Sequence, residues 1–116
     1  MHIYLAGPMR NLPYFNFPAF FDAEQLLKEQ GHIVFNPARR DTKKYGAKFA
    51  NAKGSLTVAE KTGFSLREAL AADTRYLCLK AEAIAMLPGW KKSAGAKAEY
   101  ALAVALGLEI IYLNKM

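Results

Sequence analysis

Short apolar runs alternate with stripes of helical period along nearly the whole chain, and this alternation limits the fold more than any other feature. Residues 2–6 (His-Ile-Tyr-Leu-Ala) read as a β run stopped by Gly7-Pro8. Beyond a loop punctuated by Pro13 and Pro18, Phe20, Phe21, Ala23, Leu26 and Leu27 form a helical stripe over about 18–30, and Gly31 ends it. Ile33-Val34-Phe35 is a second strand, closed by Asn36-Pro37. Ser65-Leu-Arg-Glu68 is a capping box that opens a helix to about residue 80, with Leu66, Ala69, Leu70, Asp73, Tyr76 and Leu77 at inward spacing. Ala83-Ile-Ala-Met-Leu87 is continuously apolar, which suits a buried parallel strand. An Ala-rich helix over about 94–106 ends at Gly107, and Leu108 to Leu113 form the last strand. Alternation of this kind predicts an α/β three-layer sandwich: a small, mainly parallel sheet of four or five strands, right-handed crossovers, and helices on both faces.

Residues 38–64 stand apart. They are basic and polar with little periodicity (Ala47, Phe49, Leu56 and Val58 are isolated), so a flexible loop or lid, with room for a short helical turn, is expected there. The remainder reads as a single domain over 1–116, long enough for one core. With 53% apolar residues and a mean hydropathy of −0.02, the chain reads as soluble and globular. No apolar run approaches the roughly 18 residues of a membrane span. The start lacks a basic n-region and is not expected to be a signal peptide. A lone Cys78 excludes an intrachain disulfide, no Cys/His cluster has metal-site spacing, and neither metal nor cofactor is expected. The expected compartment is the cytoplasm. The net charge of +6 favours anionic partners, but no nucleic-acid module surrounds the scattered Lys and Arg residues. A phosphorylated small molecule explains the charge as well as DNA or RNA would.

Ligands of parallel α/β sheets bind beyond the carboxyl ends of the strands. Gly7-Pro8-Met9-Arg10, Asn36-Pro37 and Pro88 to Gly95 converge on that edge. In the last of these, Ser93 and Gly95 open a helix whose bare N–H groups and partial positive charge suit a phosphate. Glu99 lies four residues beyond Gly95, on the same helix face and about 6 Å along the axis. Its carboxylate should lean back over Gly95. Leu102 and Leu106, at i+3 and i+7, place Glu99 inward. An inward acid beside an anion seat is a candidate nucleophile or base. The competing reading is an acid favoured by the helix dipole.

Ile3-Tyr4-Leu5-Ala6-Gly7-Pro8 with Met9-Arg10, mid-chain Asp73, and Leu87-Pro-Gly-Trp90 followed by Ser93-Ala-Gly95-Ala and Glu99 together resemble the nucleoside 2-deoxyribosyltransferase-like superfamily. Within it the chain is most similar to the short branch known as DUF4406, over nearly its whole length except about residues 41–64. The resemblance implies a flavodoxin- or Rossmann-like fold and cleavage of the N-glycosidic bond of nucleosides or nucleotides. Glu99 matches the family glutamate that attacks the anomeric carbon to form a glycosyl-enzyme ester. Asp73 matches its acid partner, which contacts the base or sugar hydroxyls, and Tyr4 the tyrosine that orients the nucleophile. Carboxylate attack with an assisting proton donor is the strategy of retaining glycosidases.

Relatives acting on free nucleosides tend to carry Asp where this chain has Ser93, whereas those hydrolysing nucleoside monophosphates tend to carry Ser. The resemblance therefore implies a nucleoside 5′-monophosphate N-glycosidase, with Ser93 and Gly95 at the phosphate. Gly7, Pro8, Met9, Arg10 and Asn16 are further candidate substrate contacts, and Trp90 a candidate for stacking on the base. Each has a plainer alternative: a turn at Gly7, a solvated charge at Arg10, a helix cap at Asn16 or Ser93, a packing anchor at Trp90. A transferase, or a module that holds a nucleotide without cleaving it, stays open. A nucleotide substrate, no stable nucleic acid, no membrane and a homodimer or higher homo-oligomer are the expected partners.

Overall fold

The structure, a computed structural model, describes residues 1–46 and 49–113; Ala47 and Lys48 of the basic stretch lie outside the described residues. Four strands, β1 (His2–Ala6), β2 (Ile33–Phe35), β3 (Ala83–Met86) and β4 (Glu109–Tyr112), form one all-parallel sheet in the order β2-β1-β3-β4. The chain steps outward from β1 to β2 and then returns to the other side of β1 for β3. The strand order thus reverses between β1 and β3, and the loops leaving those two strands part there.

Alternation along β1 and β3 feeds two cores, one on each face of the sheet. Ile3, Leu5, Ala83 and Ala85 pack on one face against Phe20, Ala23 and Leu27 of α1 (Phe17–Glu29). Tyr4, Ala6, Ile84 and Met86 pack on the other against Leu77 of α4 (Leu66–Leu79) and Ala96 and Ala103 of α5 (Ala94–Ala105). This is the three-layer α/β sandwich expected from the strand-helix alternation. Ser65 and Ser93 cap α4 and α5, accepting from the Glu68 and Ala96 N–H groups at 3.3 and 3.1 Å.

Residues 38–64 depart from the expected loop. Helix α2 (Pro37–Tyr45) occupies its beginning and a short α3 (Leu56–Glu60) its later part. Asn36 starts α2 by accepting from the Ala38 N–H at 2.9 Å, and Pro37 supplies a preset first helical position. The same Asn36 donates to the Phe20 carbonyl, while buried Glu24 of α1 binds Arg39 at 2.7 Å. Polar ties to α1 therefore seat α2 together with Ala38 and Tyr45 at the core, too few apolar residues for a search for periodicity to find. A second departure lies in α5: Leu106 is exposed and Leu102 half-buried, and the inward face consists of Ala96, Glu99 and Ala103.

Gly7 sits where β1 ends, against the residue that follows β3. A Cβ at this position would stand 2.7 Å from the Leu87 Cβ, so the two loops approach each other only because Gly7 has none. Gly7→Ala is expected to lower stability by about 1–3 kcal/mol in urea unfolding; unchanged stability would mean that the two loops are not tightly apposed.

Candidate functional site

The strand-order reversal opens into a cavity of about 640 Å3, within the range of small-molecule sites. Its walls come from every segment the sequence directs to the carboxyl edge. Tyr4, Gly7, Pro8, Met9, Arg10 and Asn16 line it from the β1 side, and Ser93, Ala94, Gly95 and Glu99 from the start of α5. Along α4 the lining residues are Leu66, Ala69, Leu70 and Asp73. That stripe, read from its spacing as inward, thus faces the cavity over most of its length and reaches the core at Tyr76 and Leu77.

Two acids meet inside. Glu99 and Asp73 are each only 6% exposed. The Tyr4 hydroxyl, itself buried in β1, donates to Glu99 Oε2 at 2.6 Å, which fixes one carboxylate oxygen from the sheet. Asp73 is held from the opposite side by Arg40 of α2, which also bonds Asp41 at 3.0 Å. Tyr4 stacks on Phe35 at 5.5 Å, and the Arg40 guanidinium lies over the other partner of that stack, 5.7 Å from the Phe35 ring centre. A closed circuit results: Tyr4 on β1, Phe35 on β2, Arg40 on α2, Asp73 on α4, Glu99 on α5, and back to Tyr4.

Burial sets the electrostatics of this circuit. It pushes the Glu99 carboxyl up to about 8, and the neighbouring Asp73 carboxyl adds to the rise by charge and by hydrogen bonding. Burial also raises Asp73, against the downward pull of Arg40. The Tyr4 hydroxyl is held well above its ordinary range, first by burial and then by Glu99, so it stays a donor. Asp41 is pushed up to about 6 by burial in spite of Arg40. Two buried carboxyls side by side do not both ionise readily, so near neutrality the pair holds one proton.

At the other end of the cavity α5 begins. The Ser93 oxygen takes the Ala96 N–H, while its own hydroxyl proton can be given outward. Ala94 and Gly95 are the first two helical residues, whose N–H groups have no intrahelical partner by geometry. A Cβ at Gly95 would meet no atom within 4 Å, so glycine here keeps open space rather than relieving a contact. Asn16 does not cap the following helix; its side chain donates to the Pro8 carbonyl at 3.1 Å and pins the β1 loop. Tyr14, Phe15 and Asn16 are left-handed in succession, at φ 53°, 55° and 60°. Such backbone costs about 1–2 kcal/mol per residue and is held here by the Tyr14 N–H bond to the Asn51 carbonyl at 3.0 Å.

Trp90 is not among the cavity-lining residues. It stacks on Tyr100 at 4.4 Å, on the outer side of α5, and its role is the packing anchor. Arg40 and Asp41 line the cavity although the sequence reading passed over them, as do the aromatic side chains Phe15, Phe49 and Phe64. The available signal was Asn36-Pro37 read as a helix start, which would have placed Arg40 one turn into α2. Among the described residues no group of three or more His, Cys, Asp or Glu side chains is placed to hold a metal ion, and no helix is long and apolar enough to cross a membrane.

The family model described as "Domain of unknown function (DUF4406)" matches residues 1–112, and the chain belongs to that family. No curated protein and no solved structure matches it.

The charge state of Glu99 leaves a mark on stability. The folded chain binds this proton more tightly than an unfolded one, with an ordinary value of 4.5 against about 8. Between those values the native state carries the extra proton, so stability falls as pH rises. Glu99→Gln removes the liability. Its gain in melting temperature over wild type is expected to be about 5 °C larger at pH 8.5 than at pH 5; an equal difference at both would contradict the burial of an ionisable Glu99.

Proposed function

We propose that this DUF4406 protein hydrolyses the N-glycosidic bond of a nucleoside 5′-monophosphate, releasing free base and sugar phosphate. One observation carries the reading: a buried Glu99 carboxyl, oriented by Tyr4 at 2.6 Å, faces a cavity that also holds a second acid and the start of its own helix. The resemblance to the nucleoside 2-deoxyribosyltransferase-like superfamily, in which the matching glutamate is the nucleophile, supports the same assignment.

The single proton of the pair fits both roles required. With substrate bound, the proton passes from Glu99 to Asp73 and on to the base nitrogen. The N-glycosidic bond breaks with its electron pair leaving on the base, and the freed Glu99 carboxylate bonds to C1′. Water then attacks C1′, Glu99 departs as the carboxylate, and the water proton returns to the pair. The phosphate end is served by Ser93, the Ala94 and Gly95 amides, and the positive end of the α5 dipole. Lys92 and Arg10 line the same cavity and suit an anionic ligand. Transfer of the sugar to a second base would use the same ester. A module that only held a nucleotide would gain nothing from two buried acids beside an anion.

Incubation of wild type with a panel of ribo- and deoxyribonucleoside monophosphates is expected to release free base. Glu99→Ala should lower that release by about a thousandfold or more. Tight nucleotide binding with no base from any substrate would favour the binding module. The wild-type kcat/KM should fall on the alkaline side of about pH 8, as the pair loses its proton. Ser93→Asp places a negative charge at the phosphate seat and should cut kcat/KM for monophosphates roughly a hundredfold while leaving nucleosides within a few-fold. Equal losses on both would remove the phosphate from the reading.

A further inference from the structure

We infer that Arg40 is the positioning residue of the acid pair: by holding Asp73 as the anion it keeps the pair's proton on Glu99 in the free protein, and it makes protonated Asp73 a strong donor to the leaving base. The inference rests on the glycosidase reading for its second half alone. Its first half concerns the protein without substrate.

The contacts on the two acids are unequal. Asp73 Oδ1 receives the Arg40 Nη1–H, a full cation, whereas Glu99 Oε2 receives the neutral Tyr4 hydroxyl. Protonating Asp73 forfeits an ion pair; protonating Glu99 forfeits only part of a neutral hydrogen bond. The guanidinium cannot easily follow Glu99 instead. Nε and Nη2 are both engaged with Asp41 Oδ1 at 3.0 Å, and its plane rests over Phe35. With Oδ1 of Asp73 engaged by Arg40, exchange with Glu99 falls to Oδ2.

The charged and titratable groups facing the pair come from each packed element: Tyr4 from β1, Arg40 and Asp41 from α2, and the two acids themselves from α4 and α5. Arg10 and Lys92 stand on the cavity wall, and Lys44 acts on Asp41. Arg40 alone among these cations is bonded to the pair. Without it, the Tyr4 hydrogen bond becomes the stronger bias, favours ionised Glu99, and sends the proton to Asp73. The bound proton would then sit on a weaker acid, since an adjacent guanidinium lowers a carboxyl by about 1–3 pH units.

Infrared spectroscopy of the protonated-carboxyl band tests the assignment without substrate. Asp41→Asn serves as the reference, which removes the other acid bound to Arg40, and samples carry 13C in either glutamate or aspartate side-chain carboxyls. At pH 7 the band of the reference is expected to shift with labelled glutamate. In Asp41→Asn/Arg40→Gln it should shift with labelled aspartate. A band that follows aspartate in the reference, or stays on glutamate in the double variant, overturns the inference. Should the double variant not fold, Arg40→Lys keeps a cation beside Asp73: the proton should stay on glutamate, and a band following aspartate overturns the inference. In base-release assays Arg40→Gln should lower kcat about a hundredfold with KM within threefold, and move the alkaline limb upward by about one pH unit. An unmoved limb overturns the inference as well. If wild type released no base, the glycosidase reading would fall, while the band would still decide the proton's place.

Discussion

The hydrogen bond from Tyr4 to Glu99 joins the sheet to the helix that carries the site, and the rest of the site is arranged around it. Tyr4 occupies the centre of the sheet, paired with Phe35 on one side and Ile84 on the other. Its ring belongs to the core and its hydroxyl to the cavity, so a single side chain transmits the rigidity of the sheet to a carboxylate oxygen. Small residues at Ala96 and Ala103 flank Glu99 on α5 and let that helix lie close enough for the bond to form. Larger side chains there would lift the helix and leave both polar groups buried without each other.

Burying Asp41, Asp73 and Glu99 around one guanidinium is costly unless the charges are reduced. The raised affinities of Glu99 and Asp41 for protons do that, and Arg40 sets against Asp73 the one cation bonded to the group among the described residues. The buried acids are one local cost in stability, and the left-handed turn at Tyr14 to Asn16 is a second on the same cavity wall. The topology explains why these costs gather at one place. Between β1 and β3 the connections diverge to opposite faces, leaving a gap in which side chains from α2, α4 and α5 meet.

Strands, two-faced layering and the inward Glu99 were legible because each leaves a periodic or spaced signal. The alternating run His2–Ala6, the capping Ser65 and Ser93, and the terminal Gly107 all act locally, within a turn or a strand. The inward face of α5 was harder to read. Leu102 and Leu106 suggested the right rotation for Glu99, yet alanines form the buried stripe, because close packing on the sheet favours small volume over hydrophobic bulk. Helix α2 was illegible for a different reason. Apart from Ala38 and Tyr45 at the core, its ties are ionic and polar, Glu24 with Arg39 and Asp73 with Arg40, and these span 15 and 33 residues of sequence. No local period records such pairs. The acid pair could be matched by resemblance, whereas Arg40, the cation bonded to Asp73, lies in the aperiodic stretch 38–64 and carries no local signal.

The most direct test of a nucleophilic Glu99 is to catch the sugar on it. Wild type mixed with a cleaved nucleoside monophosphate, quenched in acid at short times and digested, should yield a peptide containing Glu99 that is heavier by one sugar phosphate. The adduct should vanish in Glu99→Gln. Release of base with no adduct on that peptide, together with undiminished turnover by Glu99→Gln, would contradict the account.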